Sequence, residues 1–130
     1  MEKLDIKCLV PGSETDGKVS VFEEVVAPGS GPPLHTHENQ LEVFHVISGH
    51  IQFELDGKRV DVLSGGTATI PPGVPHAFIN KSQGPSIIHF EFLPSGSSED
   101  FFQKLVTGDF EDLQKFFEDH GLKLLGPPIQ

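Results

Sequence analysis

Tryptophan and tyrosine are absent from this 130-residue chain, and cysteine occurs once, at Cys8. No tyrosine is therefore available as an acid, a base or a ligand, and no internal disulfide can form. Arginine is scarce too, with Arg59 alone among nine basic residues against nineteen acidic ones, a net charge of −10. No basic stretch can follow a phosphate backbone, which excludes nucleic acid as a partner and disfavours substrates with several phosphates. No apolar run approaches the 18 or more residues that a membrane-spanning helix needs, so no membrane partner is expected. The N-terminal MEKLDIKCLVPGSE has no apolar region of useful length and no small-residue cleavage site, which makes the cytoplasm the expected location. What is abundant is phenylalanine, with eleven copies, alongside 14 glycines and 11 prolines. A chain of this length can bury about two-thirds of its surface, leaving roughly 6,800 Å² exposed, and suits one domain spanning residues 1–130.

Two parts of different character follow one another. Residues 5–93 read as short strands separated by turn residues. Lys18–Ala27 is rich in β-branched and aromatic residues, and Glu42–Ile47 runs into a turn at Ser48-Gly49. His50–Leu55 alternates, with Ile51, Phe53 and Leu55 on one face, and Asp56-Gly57 is a strong hairpin signal before Lys58–Leu63. Thr67–Ile70, His76–Ile79 and Ser86–Leu93 complete the set. Many short strands at regular spacing, joined by tight turns, predict an all-β antiparallel sandwich or barrel. Residues 97–130 instead predict two short amphipathic helices. Ser98 is a fair cap for one bearing Phe101, Phe102, Leu105 and Val106, and Asp109 for one bearing Phe110, Leu113, Phe116 and Phe117. These helices are expected to bury their phenylalanines against the open side of the β unit.

Four residues concentrate the chemistry: His35, His37, Glu42 and His76. His35 and His37 are two apart, so on a strand both imidazoles point to one face. Glu42 returns five residues later, and His76 follows a proline-stiffened turn at Pro71–Pro75. Three imidazoles and a carboxylate suit one divalent transition metal ion, Fe, Mn, Ni, Co, Cu or Zn, with positions left open for a small molecule. The absence of sulfur ligands argues against a closed structural zinc site. The histidine pair alone is equally compatible with two surface residues. His45 and His89 lie on strands, as structural or cavity-facing groups, and His50 shares an outward face with Gln52 and Glu54. His120 falls at a helix C-terminus, Glu38 points away from His37, and Cys8 is expected to be a small buried hydrophobe. Asn80 is expected to hydrogen-bond backbone across a turn.

The glycines and prolines around these residues are regularly placed. Gly29 precedes His35 by six positions, Glu42 follows His37 by five and Gly49 follows Glu42 by seven. Gly65 precedes Pro71 by six, with Gly73, His76 and Asn80 following at intervals of two, three and four. The two motifs, Gly29–Gly49 and Gly65–Asn80, are separated by 15 residues, and together they resemble the cupin superfamily in order and spacing. The resemblance implies a small antiparallel jelly-roll β-barrel over about residues 5–93, with the two C-terminal helices of residues 97–130 beside it. It also implies a metal held by His35, His37, Glu42 and His76, with Glu42 as ligand or catalytic base. A homodimer is implied as well, formed by exchange of N-terminal strands such as residues 1–10. The run from Leu93 to Gly96, with Glu99 to Phe102 and the ending from His120 to Pro128, is similar to the extension of quercetin dioxygenase-like single-domain cupins. That similarity implies a metal-dependent dioxygenase or oxidoreductase acting on a neutral or phenolic small molecule. A non-catalytic metal-dependent binder and a metal-dependent isomerase or lyase of a carbonyl compound use the same four residues.

Overall fold

The computed structural model describes residues 4–130. Ten strands and two helices run in the order β1 (Asp5–Val10), β2 (Ser20–Val26), β3 (Pro33–His37), β4 (Leu41–Ser48), β5 (His50–Leu55), β6 (Lys58–Leu63), β7 (Thr67–Ile70), β8 (His76–Asn80), β9 (Ser86–Leu93), α1 (Ser98–Thr107), α2 (Leu113–Asp119) and β10 (Leu122–Pro128). They form two five-stranded sheets, ordered β1-β2-β9-β4-β7 and β10-β3-β8-β5-β6. The pairings are antiparallel, as expected of an all-β jelly roll. The seven strands expected between Lys18 and Leu93 are present, with ends shifted by at most two residues.

The interior follows from strand alternation. In β2, Ser20, Phe22, Glu24 and Val26 are buried, while their neighbours face outward. Register stacks these positions into rows across the first sheet. Ser20, Phe92 and Glu42 form one row, Phe22, Phe90 and Phe44 the next, and Glu24, Ile88 and Val46 a third. Ile51, Phe53 and Phe78 meet the middle rows from the second sheet, with Phe44–Phe53 and Phe44–Phe78 ring centroids 5.0 and 5.5 Å apart. Phenylalanine thus does the packing that tryptophan and tyrosine share elsewhere.

Two tight features hold the strand ends. Gly49 has φ +103°, and a β-carbon there would lie 1.9 Å from Ser86 Oγ, so only glycine fits. Asn80, 2% exposed, donates from Nδ2 to the Val26 and Gly84 carbonyls and accepts at Oδ1 from Ser82 N and Ser86 Oγ. The expected backbone-bonding role of Asn80 is therefore present.

Residues beyond 93 differ in detail from expectation. Ser97, not Ser98, precedes α1 and caps it with no side-chain bond; Ser98 is instead the first helical residue, its hydroxyl 2.7 Å from Ser20 Oγ. Asp112, not Asp109, caps α2 by accepting from Gln114 N, because Phe110 lies before the helix and stacks on Phe116 at 4.6 Å. Leu113, placed on the packed face by periodicity, is 37% exposed. Leu122–Pro128 forms a strand that pairs with β3 along the edge of the second sheet. Phe101, Phe116, Phe117 and Leu122 form a second cluster, with Phe102 packed against both this cluster and the barrel core. Cys8 is exposed, contrary to expectation, because β1 is an edge strand paired only with β2. Residues 1–3 of the expected exchange strand lie outside the described residues. Among the described residues, no helix is long and apolar enough to cross a membrane.

Candidate metal centre

His35 and His76 are directly opposed across the β3–β8 pair. His37 lies two residues along β3 on the same face, and Glu42 projects from β4 in the facing sheet. Gly73, in the turn before His76, donates its N–H to the His37 carbonyl at 2.9 Å, which ties that turn to β3. The sequence motifs thus converge at one end of the barrel, where both sheets contribute. All four side chains are buried, His35 at 8%, His37 at 5%, Glu42 at 3% and His76 at 1% exposure.

One nitrogen from each histidine lies within 4.8 Å of the other two. His35 Nε2 and His37 Nε2 are 3.2 Å apart. Glu42 Oε1 adds a carboxylate oxygen 3.1 Å from His76 Nε2 and 3.3 Å from His37 Nε2. Two N or O ligands at 2.0–2.2 Å from one ion, at angles of 90–109°, stand about 2.8–3.6 Å apart. The observed spacings fall in that interval.

Hydrogen bonding strengthens the fit. His35 Nδ1 donates to the Pro33 carbonyl at 2.7 Å, and His76 Nδ1 donates to the Val74 carbonyl at 2.9 Å, an assignment made from these carbonyl partners. Each ring proton is then committed away from the cluster, leaving both Nε2 lone pairs aimed inward, the arrangement of metal-ligating histidine. A lone pair of His76 faces a carboxylate oxygen, a contact that needs a proton or a cation between the two. His37 Nδ1 is buried with no partner among the described residues. Burial dominates the electrostatics. It pushes His35 down to about 3, helped by His76, and holds His37 well below its ordinary value. Both rings are thus neutral and able to ligate. Burial also raises Glu42, opposed by its contact with His76. Three histidines of this kind could hold a metal ion.

Phenylalanines seal the cluster. Phe92 lies 4.8 Å from the His37 ring and Phe117 meets the His35 ring edge-on at 6.0 Å. The gap beside His37, walled by Phe92, Phe101 and Phe102, cannot hold a water molecule. Gln40, which sequence reasoning passed over, also borders it, anchored by bonds to the Pro94 and Ser95 carbonyls. A second missed residue is Glu24, 9% exposed among apolar neighbours and raised to about 8 by burial, with Glu42 and Asp5 adding to the rise. Its signal was its place between Phe22 and Val26 on one face.

Of the remaining candidates, His120 borders the gap beside His37 and the others lie elsewhere. His45 pairs with Glu91 at 2.8 Å and His89 with Glu23 at 2.9 Å on the outer face of the first sheet. His50 pairs with Asp61, and His120 closes α2, bonded to the Phe116 carbonyl and Asp100. Glu38 accepts from Thr36 and pairs with Lys123, away from the cluster.

Comparison with known proteins decides the family, because the Cupin domain family (Cupin_2) matches residues 22–91. The chain belongs to the cupin family. This cupin is 27% identical over 131 residues to Oxidoreductase macE of Penicillium terrestre, covering 83% of this chain and 50% of that protein. It is 34% identical over 62 residues to quercetin 2,3-dioxygenase of Bacillus subtilis, covering 48% of this chain and 18% of the other. The cupin therefore spans half or less of the length of these relatives. Among solved structures it is similar to a predicted oxalate decarboxylase from Thermotoga maritima, with a TM-score of 0.67 and 21% identity over 70% of this chain and 80% of that one. That likeness concerns the fold.

Proposed function

We propose that this cupin is a metal-dependent oxidoreductase, a dioxygenase acting on a neutral or phenolic small molecule. The buried cluster of three imidazoles beside one carboxyl group carries this reading. The oxidoreductase and dioxygenase names of its relatives support it. His35, His37 and His76 would hold one divalent transition metal ion, with Glu42 as a fourth ligand. When bound, such an ion supplies Lewis acidity and, if redox-active, electrons for O₂ chemistry.

The chain's own groups do the rest. With the ion held by the three imidazoles alone, Glu42 is instead the proton acceptor for a phenolic or enolic hydroxyl. Burial raises its carboxyl above the ordinary value, opposed by its contact with His76, which makes it a stronger proton acceptor than a free carboxylate. Phe92, Phe101 and Phe117 exclude water and present ring faces to an aromatic substrate. Homodimer formation is part of this proposal, supported by Ile47 and Leu93, 47% and 38% exposed on strands of the first sheet.

Elemental analysis of anaerobically purified protein tests the centre, and O₂ uptake with phenols and diketones tests the reaction. About one equivalent of Fe, Mn, Ni, Co or Cu per chain with substrate-dependent O₂ uptake is expected. Absence of metal after reloading overturns the proposal. The tightness of the gap beside His37 favours a second reading, metal-dependent binding without turnover. Ligand-dependent thermal stabilisation with no O₂ uptake identifies it, whereas conversion of a carbonyl substrate under argon identifies an isomerase or lyase.

A further inference from the structure

The gap beside His37 has no room for water, yet a cavity of about 330 Å³ lies on the other side of Phe102. The cavity opens between β1 and α1. Ile6 and Cys8 from β1, Phe22 from β2, and Glu99, Phe102 and Val106 from α1 give it mostly apolar walls. Its volume is in the range of a small-ligand site and too small for a protein helix.

Phe102 belongs to both spaces, walling this cavity and the closed gap beside His37. Its ring is wedged among Phe22, Phe90 and Phe92, with centroids at 4.9, 5.2 and 5.8 Å, and Phe92 in turn touches the His37 ring. A row of rings thus runs from the cavity to the cluster, and Phe102 is the member carried on a helix rather than on the barrel.

We propose that the β1–α1 cavity is the binding site through which a neutral, hydroxyl-bearing aromatic molecule reaches the cluster, with Phe102 as the gate. This rests on the functional reading above and specifies where its substrate enters. The class of ligand follows from the walls. Phe22 and Phe102 offer ring faces, so a flat aromatic body can replace the contacts that the Phe102 ring now makes. No cationic side chain lines the cavity among the described residues, and Glu99 stands in its wall, so an anion is disfavoured. The polar side chains in the wall that can meet the ligand hydroxyl are Glu99, Gln103 and Thr107.

Cys8 makes the test direct, because it is the sole cysteine and lies in the cavity wall. The probe is 2-naphthol, with iodoacetamide alkylation of the full-length, metal-free chain as the readout. At ten times its Kd, 2-naphthol is expected to slow Cys8 alkylation about tenfold, by mass action. Val106→Trp, checked for folding by circular dichroism, is expected to abolish 2-naphthol binding. The gate is tested separately by the rate at which 1,10-phenanthroline strips metal from loaded protein, which Phe102→Ala is expected to raise by at least about tenfold. Binding of 2-naphthol with Cys8 alkylation unchanged overturns the cavity assignment. An unchanged stripping rate in Phe102→Ala overturns the gate. Protection of Cys8 that follows protein concentration instead of 2-naphthol assigns the cavity to a second copy of the chain, and overturns the proposal. Failure to load metal leaves the Cys8 result standing and overturns only the functional reading, so the two failures are distinguishable.

Discussion

His37 differs from the other two histidines in one respect with energetic weight. His35 and His76 hand their Nδ1 protons to carbonyls, whereas His37 Nδ1 has no partner among the described residues. Its polar contacts lie at Nε2, beside His35 Nε2 and Glu42 Oε1 inside the cluster, and its ring packs against Phe92. Removal of His37 is therefore expected to strip the metal at little cost to folding. His37→Ala should lower metal affinity by more than about 100-fold, a larger loss than that caused by removing an outer hydrogen-bond partner. Metal titration followed by elemental analysis measures this, with the circular dichroism spectrum unchanged. Glu24 is a liability of the opposite kind, a buried carboxyl raised to about 8 chiefly by burial. The unfolded chain loses this proton near pH 4.5 and the folded chain near 8. The folded state is thus unpenalised below about 4.5 and loses stability as pH rises through about 8. Glu24→Gln is expected to abolish that loss. It should stabilise the protein by roughly 3–5 kcal/mol at pH 8.5 and by little at pH 4, as read by urea denaturation.

At the scale of elements, the strand ends depend on a few polar clamps. Asn80, almost fully buried, joins β8 to the end of β2 at Val26, to the start of β9 at Ser86 and to the intervening turn at Ser82 and Gly84 through four bonds. Asn80→Ala leaves the Val26 carbonyl and Ser82 N–H without this partner, so a loss of about 2–4 kcal/mol is expected in chemical denaturation. This clamp was legible in the sequence, as were the β-strands between residues 20 and 93. Alternation of Ile51, Phe53 and Leu55, and the Asp56-Gly57 turn, state strand and hairpin locally. The metal cluster was legible for the same reason, since His35 and His37 sit two apart on one strand and needed only register to meet His76. Residues 97–130 were less legible. Ser98 and Asp109 precede phenylalanines at helical spacing and read as caps, but tertiary packing of Phe110 on Phe116 moves the second cap to Asp112. Leu122–Leu125 is a short apolar run before Gly126-Pro127-Pro128 with no strand signal of its own, and it becomes a strand by pairing with the edge that β3 offers. Cys8 illustrates a third limit. Alternation predicts which face a residue takes, but burial depends on whether anything covers an edge strand.

Across the whole molecule, the cluster joins the two sheets: three imidazoles come from β3 and β8 and the carboxylate from β4. Ligands that are far apart in sequence meet only in the folded chain, so an ion bound there adds its binding free energy to folding. At a free metal concentration 100 times its Kd, this amounts to about 2.7 kcal/mol. For a chain of this length the corresponding rise in Tm is about 10 °C. The net charge of −10 adds a diffuse attraction for any cation, including at places unrelated to the cluster. Two controls separate these contributions. Sodium chloride screens the diffuse term and leaves the buried site largely untouched, so most of the Tm rise should persist at 0.5 M salt. His76→Ala removes a ligand without changing the surface charge, so it should abolish the rise at both salt concentrations. Glu42→Gln falls between them, because three imidazoles on one sheet remain while the tie to the other sheet is weakened. Its Tm rise should be smaller than that of the unaltered chain and larger than that of His76→Ala. A metal-dependent rise that survives in His76→Ala would place the ion outside this cluster.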